Sequence, residues 1–118
     1  MIRMWALRLA GVMIFAHAVT HPSQAARSMY TGSELLDFCS KDQEPDWGVC
    51  LGFIVGVSSS FDCEQLLLGR FSFQPPDGAT AGQMKKIVIK YLNERPEKLH
   101  LPAASLAAAA LSEAFPCQ

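Results

Sequence analysis

Four cysteines, Cys39, Cys50, Cys63 and Cys117, sit in a chain of only 118 residues. In so short a chain they raise the question of redox compartment before any other. Zinc sites and redox-active dithiols need closely paired ligands such as C-x-x-C, and none occurs here, so the spacing favours structural disulfides over a metal. Four cysteines allow three connectivities. A Cys39–Cys50 bridge would staple a helical hairpin across its turn and leave Cys63 to tie the end of the second helix to Cys117. Each closure is worth about 3–4 kcal/mol by the chain-entropy estimate.

The N-terminus fits an oxidising destination. Arg3 and Arg8 form a positive n-region, and Leu9 to Val19 is a short apolar core followed by small-residue cleavage patterns at Ala16-His17-Ala18 and Ser23-Gln24-Ala25. A membrane-spanning helix takes roughly 20 apolar residues, and the longer window from Met4 to Thr20 contains Arg8 and His17. Residues 1–25 are therefore read as a signal peptide and 30–118 as the mature domain, with no membrane contact once the signal is cleaved. A lipoprotein anchor is disfavoured because Cys39, the first cysteine, lies far beyond the apolar core. Cleavage removes two arginines and no acid, so a chain of formal charge −1 becomes more acidic. That balance gives no electrostatic case for nucleic acid. A domain this small has a marginal core, and covalent staples help it most.

The mature chain reads as all-α, a small domain of four to five helices. Thr31-Gly32-Ser33-Glu34 is a capping box opening a first helix that fades from Ser40 to Pro45. A second helix starts at Asp46, whose carboxylate is positioned to cap the first turn. Its apolar residues Cys50, Phe53, Ile54, Val57 and Phe61 recur at helical spacing, and it frays in the run Ser58 to Ser60. Thr80-Ala81-Gly82-Gln83 is a second capping box. It precedes a third helix with Met84, Ile87, Val88, Tyr91 and Leu92 on one face, Lys85, Lys86 and Lys90 exposed off it, and Pro96 as its stop. A fourth helix carries Pro102 in its first turn and a stripe of Ala103, Leu106, Ala107, Ala110, Leu111 and Ala114. Between helices two and three, Gln65 to Gly78 is broken by Gly69, Pro75, Pro76 and Gly78 yet rich in leucine and phenylalanine. Such a segment either packs on the core or offers an adhesive surface.

Gly48, Gly52 and Gly56 repeat along one stripe of helix two. Each costs about 1 kcal/mol relative to alanine, so the stripe implies close helix approach, within the domain against the fourth helix or across a dimer. The internal contact is the simpler expectation. Catalysis has little to stand on: no nucleophile elbow, metalloprotease motif or phosphate loop is present. His100 lies in the connection before helix four, where a partly buried structural role is expected. Asp42, Glu44 and Asp46 alternate around Pro45, and solvation and capping account for them. No enzyme activity, catalytic residue, metal or cofactor is expected.

Taken in order, these motifs resemble a known family. Gly32-Ser33-Glu34-Leu35-Leu36-Asp37-Phe38-Cys39 resembles its opening helix, and Cys50-Leu51-Gly52-Phe53-Ile54-Val55-Gly56-Val57 its C-x-G-[YF]-[IV]-x-G-[VI] core helix. Pro76 to Gln83, then Val88 to Leu92 with Pro96 after it, is similar to the third helix and its lead-in, and Phe115-Pro116-Cys117 to the terminal F-P-C. The family is that of the Rap/Tai-type immunity proteins, periplasmic inhibitors paired with cell-wall amidase effectors of type VI secretion. The resemblance spans nearly all of residues 30–117. It implies a disulfide-bonded helical domain, often a homodimer, that occludes the active-site cleft of a peptidoglycan amidase and does no chemistry itself. The sequence departs from the family in one place. The usual third cysteine falls in an F-C-x-P motif, and here that stretch reads Phe73-Gln74-Pro75-Pro76. Gln74 forms no such bridge, so both the connectivity and the course of Gln65 to Gly78 stay open, a Cys63–Cys117 bridge reached from another direction being one solution.

The leading expectation is a periplasmic immunity protein with one tight protein partner, held by buried apolar anchors. Leu68, Phe71 and Phe73 in the irregular segment, with Asp77 beside them, are the candidate contacts. The alternative is a small disulfide-bonded periplasmic chaperone or envelope-stress protein without a dedicated toxin. Its mark would be suppression of aggregation of unrelated clients in acid, and the modest number of basic residues weighs against it.

Overall fold

A computed structural model describes residues 29–61, 63 and 72–118. The expected signal segment, residues 1–25, lies outside the described residues, as do Leu68 and Phe71. Four α-helices follow one another: α1 (Gly32–Cys39), α2 (Asp46–Ser60), α3 (Ala81–Asn93) and α4 (Ala103–Ala114), with one 3₁₀ turn, Pro96–Lys98, between α3 and α4. No strand occurs among the described residues. The only extended pairings there are two isolated antiparallel bridges, Thr31 with Pro102 and Phe73 with Pro116.

Both capping boxes form. The Thr31 backbone N–H and hydroxyl donate to Glu34 Oε2 at 2.8 and 2.9 Å, and Glu34 N–H returns to Thr31 Oγ1 at 3.4 Å. Thr80 and Gln83 repeat the reciprocal pair at the start of α3, at 2.8 and 3.2 Å. The first free amides of α1 are also satisfied from outside the helix. Gly32 N–H donates to Leu101 O and Ser33 N–H to Leu99 O, each at 2.9 Å, while Ala103 N–H donates to Tyr30 O. The α3–α4 connection thus holds the start of α1 by its backbone. A buried helix end demands such an arrangement. It also explains Gly32, where an added Cβ would run into the Leu106 side chain and the Leu99 backbone.

The expected cap at Asp46 is not made. Asp46 is the first helical residue, the cap position falls to Pro45, and no side-chain hydrogen bond closes that end. The Asp46 carboxylate turns to Lys41 instead, 3.4 Å from Nζ. At the other end of α2, the hydroxyls of Ser58, Ser59 and Ser60 donate back to the carbonyls of Val55, Val55 and Gly56. Such back-bonding offers the backbone an alternative to further helix, and α2 ends there. Pro102 occupies the N-cap of α4 rather than a position inside its first turn.

The core draws one stripe from each helix. Leu35 and Cys39 come from α1, Cys50, Ile54 and Val57 from α2, Met84, Val88, Tyr91 and Leu92 from α3, and Leu106 and Leu111 from α4. Helix α4 packs against all three others, and its buried Ala103, Ala107, Ala108 and Ala110 let their backbones approach. The Cys39–Cys50 bridge lies inside this core, with both residues at most 2% exposed and 5.0 Å between Cα atoms. A second bridge joins Cys63 to Cys117.

The glycine stripe of α2 does not make the close contact expected within the domain. A Cβ built at Gly52 or Gly56 meets nothing within 4 Å, and at Gly48 the nearest atoms it meets are those of the Glu44 side chain. The α2 face that meets the core is instead that of the buried Cys50, Ile54 and Val57. Two side-chain expectations also change. His100 is exposed, its role in the connection being taken by the backbone of Leu99 and Leu101. The Lys85 side chain is only 12% exposed, since it lies along the junction of α1, α2 and α3 with its Nζ 3.8 Å from Asp42.

Candidate partner-binding surface

The chain between α2 and α3 is anchored by Phe73, whose side chain is wholly buried. Its backbone N–H donates to Phe61 O at 3.0 Å, and the next amide, Gln74 N–H, donates to Phe115 O at 3.0 Å. The C-terminal Phe115-Pro116-Cys117 stretch therefore runs antiparallel to Phe73 and Gln74. The Phe73 side chain is a core element and presents no surface to a partner, which corrects its assignment as an anchor. The pattern that proposed it, an aromatic between polar residues in an irregular segment, does not distinguish an inward from an outward side chain.

After Phe73 the chain turns over Pro76-Asp77-Gly78. Ala79 N–H donates back to Pro76 O at 3.0 Å, and Gly78 adopts φ +88°, a backbone region that glycine enters without penalty. The turn holds Asp77 exposed. Beneath it lies a depression of about 440 Å³ between the turn, the first turns of α3 and Phe115, with Gln83 and Lys86 on its rim and Ile87 in its wall. Asp77 is thus brought together with Lys86 and Phe115, giving an acid, a base and a half-buried ring around one hollow.

A second surface was not singled out by sequence pattern. On α2, Trp47 and Val55 are 42% and 44% exposed, and Leu51 lies between them one turn from each. With Ile89 of α3 and the stem of Lys85, Trp47 and Leu51 line a hollow of about 470 Å³. Gly52 and Gly56, with nothing over them, flank this row, so the exposed side of α2 is apolar and low in relief there. Its signal in the sequence is the i, i+4, i+8 spacing of Trp47, Leu51 and Val55, masked by the stronger core stripe on the same helix.

Asp42, Lys85 and Lys86 border this hollow. Lys41 Nζ lies 2.7 Å from Asp37 and 3.4 Å from Asp46, and the hydrogen bond it donates to Asp37 raises its pKa above the ordinary lysine value. Across α1, the two hydrogen bonds from Thr31 hold the Glu34 carboxyl below the ordinary carboxylate range. Both are solvated surface arrangements that fix local geometry. Among the described residues, no group of three or more histidine, cysteine or acidic side chains is placed to hold a metal, and no helix is long and apolar enough to cross a membrane. What the described surface offers is shape, apolar area and a few fixed charges, the ingredients of a protein interface.

A family model described as Rap1a immunity proteins matches residues 31–117. The match begins at the N-cap of α1 and ends at Cys117, so it takes in every helix and both bridges. A search of curated proteins returns no match. Immunity proteins of this kind are generally non-enzymatic. The chain belongs to the Rap1a immunity protein family, and membership implies that it binds a cognate secreted effector.

Proposed function

We propose that this protein is an exported, periplasmic immunity protein that neutralises a peptidoglycan amidase of type VI secretion by covering its active-site cleft. The observation that carries the reading is the family match across the whole disulfide-bonded helical domain. Disulfides persist in oxidising compartments, which agrees with residues 1–25 acting as a signal peptide and 30–118 as the mature domain. Inhibition by occlusion needs no chemistry from the inhibitor, only a surface that fits and a few desolvated anchors. In this reading Leu68 and Phe71 are the apolar anchors, proposed from their sequence, and Asp77 is a polar contact on the adjoining turn. Phe73 serves as the fixed point that holds the segment to the core. A homodimer, formed through the exposed side of α2, belongs to the same proposal.

The test is capture with the tagged mature protein from periplasmic extract, with and without candidate effector-producing neighbours, followed by an assay of the captured protein. Co-elution of one amidase at fixed stoichiometry, with its peptidoglycan hydrolysis abolished by stoichiometric addition of this protein, is the expected result. An amidase that stays active in the complex overturns the occlusion mechanism. A broad set of partners retained only after acid treatment points to a chaperone instead.

A further inference from the structure

The two disulfides occupy different environments. Cys39 and Cys50 are sealed in the core, 2% and 0% exposed, at the junction of α1 and α2. Cys117 is exposed and Cys63 half-buried, and the bridge they form lies beyond the end of α2. Thiol–disulfide exchange requires a thiolate to reach one sulfur along the bridge axis, so access decides which bridge reacts. Other ties join the same segments as Cys63–Cys117. Phe73 is buried, and the Phe73–Phe61 and Gln74–Phe115 backbone hydrogen bonds hold these segments together by non-covalent means.

We propose that Cys63–Cys117 is a thiol-exchange site, open to a dithiol reductant while the fold stays intact, and that Cys39–Cys50 is closed to the same reagent. One thiolate of the dithiol attacks Cys117 Sγ, forming a mixed disulfide and expelling Cys63 as a thiolate that takes up a proton. The second thiolate of the dithiol then attacks its own sulfur in the mixed disulfide and releases Cys117, which is protonated in turn. The dithiol leaves as a disulfide, and its two electrons have reduced the bridge. The fitting partner is a dithiol–disulfide oxidoreductase of the exporting compartment. The effect on this protein is to release the covalent tie at the Cys63 end of the chain leading to Phe73. Attack at Cys39–Cys50 instead needs α1 and α2 to separate, an opening that costs much of the global stability.

The experiment needs no effector, so its outcome is independent of the immunity reading. The oxidised protein is incubated with a dithiothreitol series under native conditions, quenched by alkylation and mapped by peptide mass spectrometry, with far-ultraviolet circular dichroism recorded alongside. Alkylation of Cys63 and Cys117 is expected at least about tenfold faster than of Cys39 and Cys50, with helicity unchanged, because only the core bridge waits on an opening of the fold. Parallel alkylation of all four cysteines, or loss of helicity as Cys63–Cys117 opens, overturns the proposal. The double variant Cys63→Ser/Cys117→Ser provides the second readout. It is expected to keep its helicity and its Cys39–Cys50 bridge, and an unfolded variant overturns the proposal equally.

Discussion

The amide of Gln74 donates to the carbonyl oxygen of Phe115 across 3.0 Å, placing the residue before the Pro75-Pro76 pair beside the C-terminal stretch. Here a backbone hydrogen bond makes the connection, and the covalent tie to Cys117 comes from Cys63. The adjacent Phe73 is the largest wholly buried side chain in the core. Phe73→Ala should therefore cost about 3–5 kcal/mol of stability by urea denaturation, as expected of a large cavity. Asp77→Ala, on the exposed turn, should change stability by no more than about 0.5 kcal/mol and weaken effector binding. A Phe73→Ala protein as stable as its parent would mean that this ring is not a core element.

The glycines of α1 and α2 should respond with opposite signs. Gly32→Ala places a methyl group against Leu106 and the Leu99 backbone and should destabilise by about 1–3 kcal/mol through overpacking. Gly52→Ala and Gly56→Ala enter open space and should each stabilise the monomer by up to about 1 kcal/mol through helix propensity. Thermal melts over a range of protein concentrations separate this from dimerisation. A second copy packed on the stripe would turn the gain into a loss at high concentration.

The Glu34 carboxyl titrates below its ordinary value of 4.5 because Thr31 hydrogen-bonds its charged form. Its contribution to stability is complete above that value and is lost as pH falls through the lower folded-state value. Glu34→Gln, which can still accept from Thr31, should flatten the acid limb of the stability profile in that window. Lys41 behaves in the opposite sense. Its pKa is raised above 10.5 by Asp37, so its contribution is complete below 10.5 and disappears as pH rises through the folded-state value. Lys41→Met should flatten the alkaline limb, and an unaltered limb in either variant would show that the interaction is absent in solution.

Arg95 joins α3 to α4. Its guanidinium lies 3.8 Å from the centroid of the Tyr91 ring, and Nη2 lies 3.2 Å from Glu113. Arg95→Ala should cost about 1 kcal/mol, the scale of an exposed stacked cation with a surface ion pair. Arg95→Lys keeps the charge but loses the flat face, so it should recover only part of the loss. Full recovery would assign the effect to the ion pairs with Glu94 and Glu113, and a double-mutant cycle with Tyr91→Leu measures the stacking directly.

Signals that act over one turn of chain were legible in the sequence. The Thr31–Glu34 and Thr80–Gln83 boxes, the serine run closing α2 and the alanine stripe of α4 all appear where local chemistry places them. What escaped was set by neighbours distant in sequence. Asp46 has the right residue type for a cap, but Lys41 competes for its carboxylate. Gly48, Gly52 and Gly56 have the right spacing for a helix contact, but α4 meets α2 on another face. Lys85 reads as a surface charge until α1 and α2 close over its stem. The candidate site suffered most, because the same apolar residue serves equally well as core or anchor, and only the pairing of Phe73 with Phe61 and Pro116 decides between them.

The hydrogen bond between Phe61 and Phe73 gives the intervening chain fixed ends. When the ends are set by the core, lengthening the span raises its closure entropy only slowly, by about 0.6 kcal/mol for each doubling. Residues can therefore be inserted, deleted or exchanged between Cys63 and Ser72 at little thermodynamic cost to the four helices. A lineage facing a changing effector would be free to vary this span in length as well as in composition, while the scaffold beneath it stayed constant.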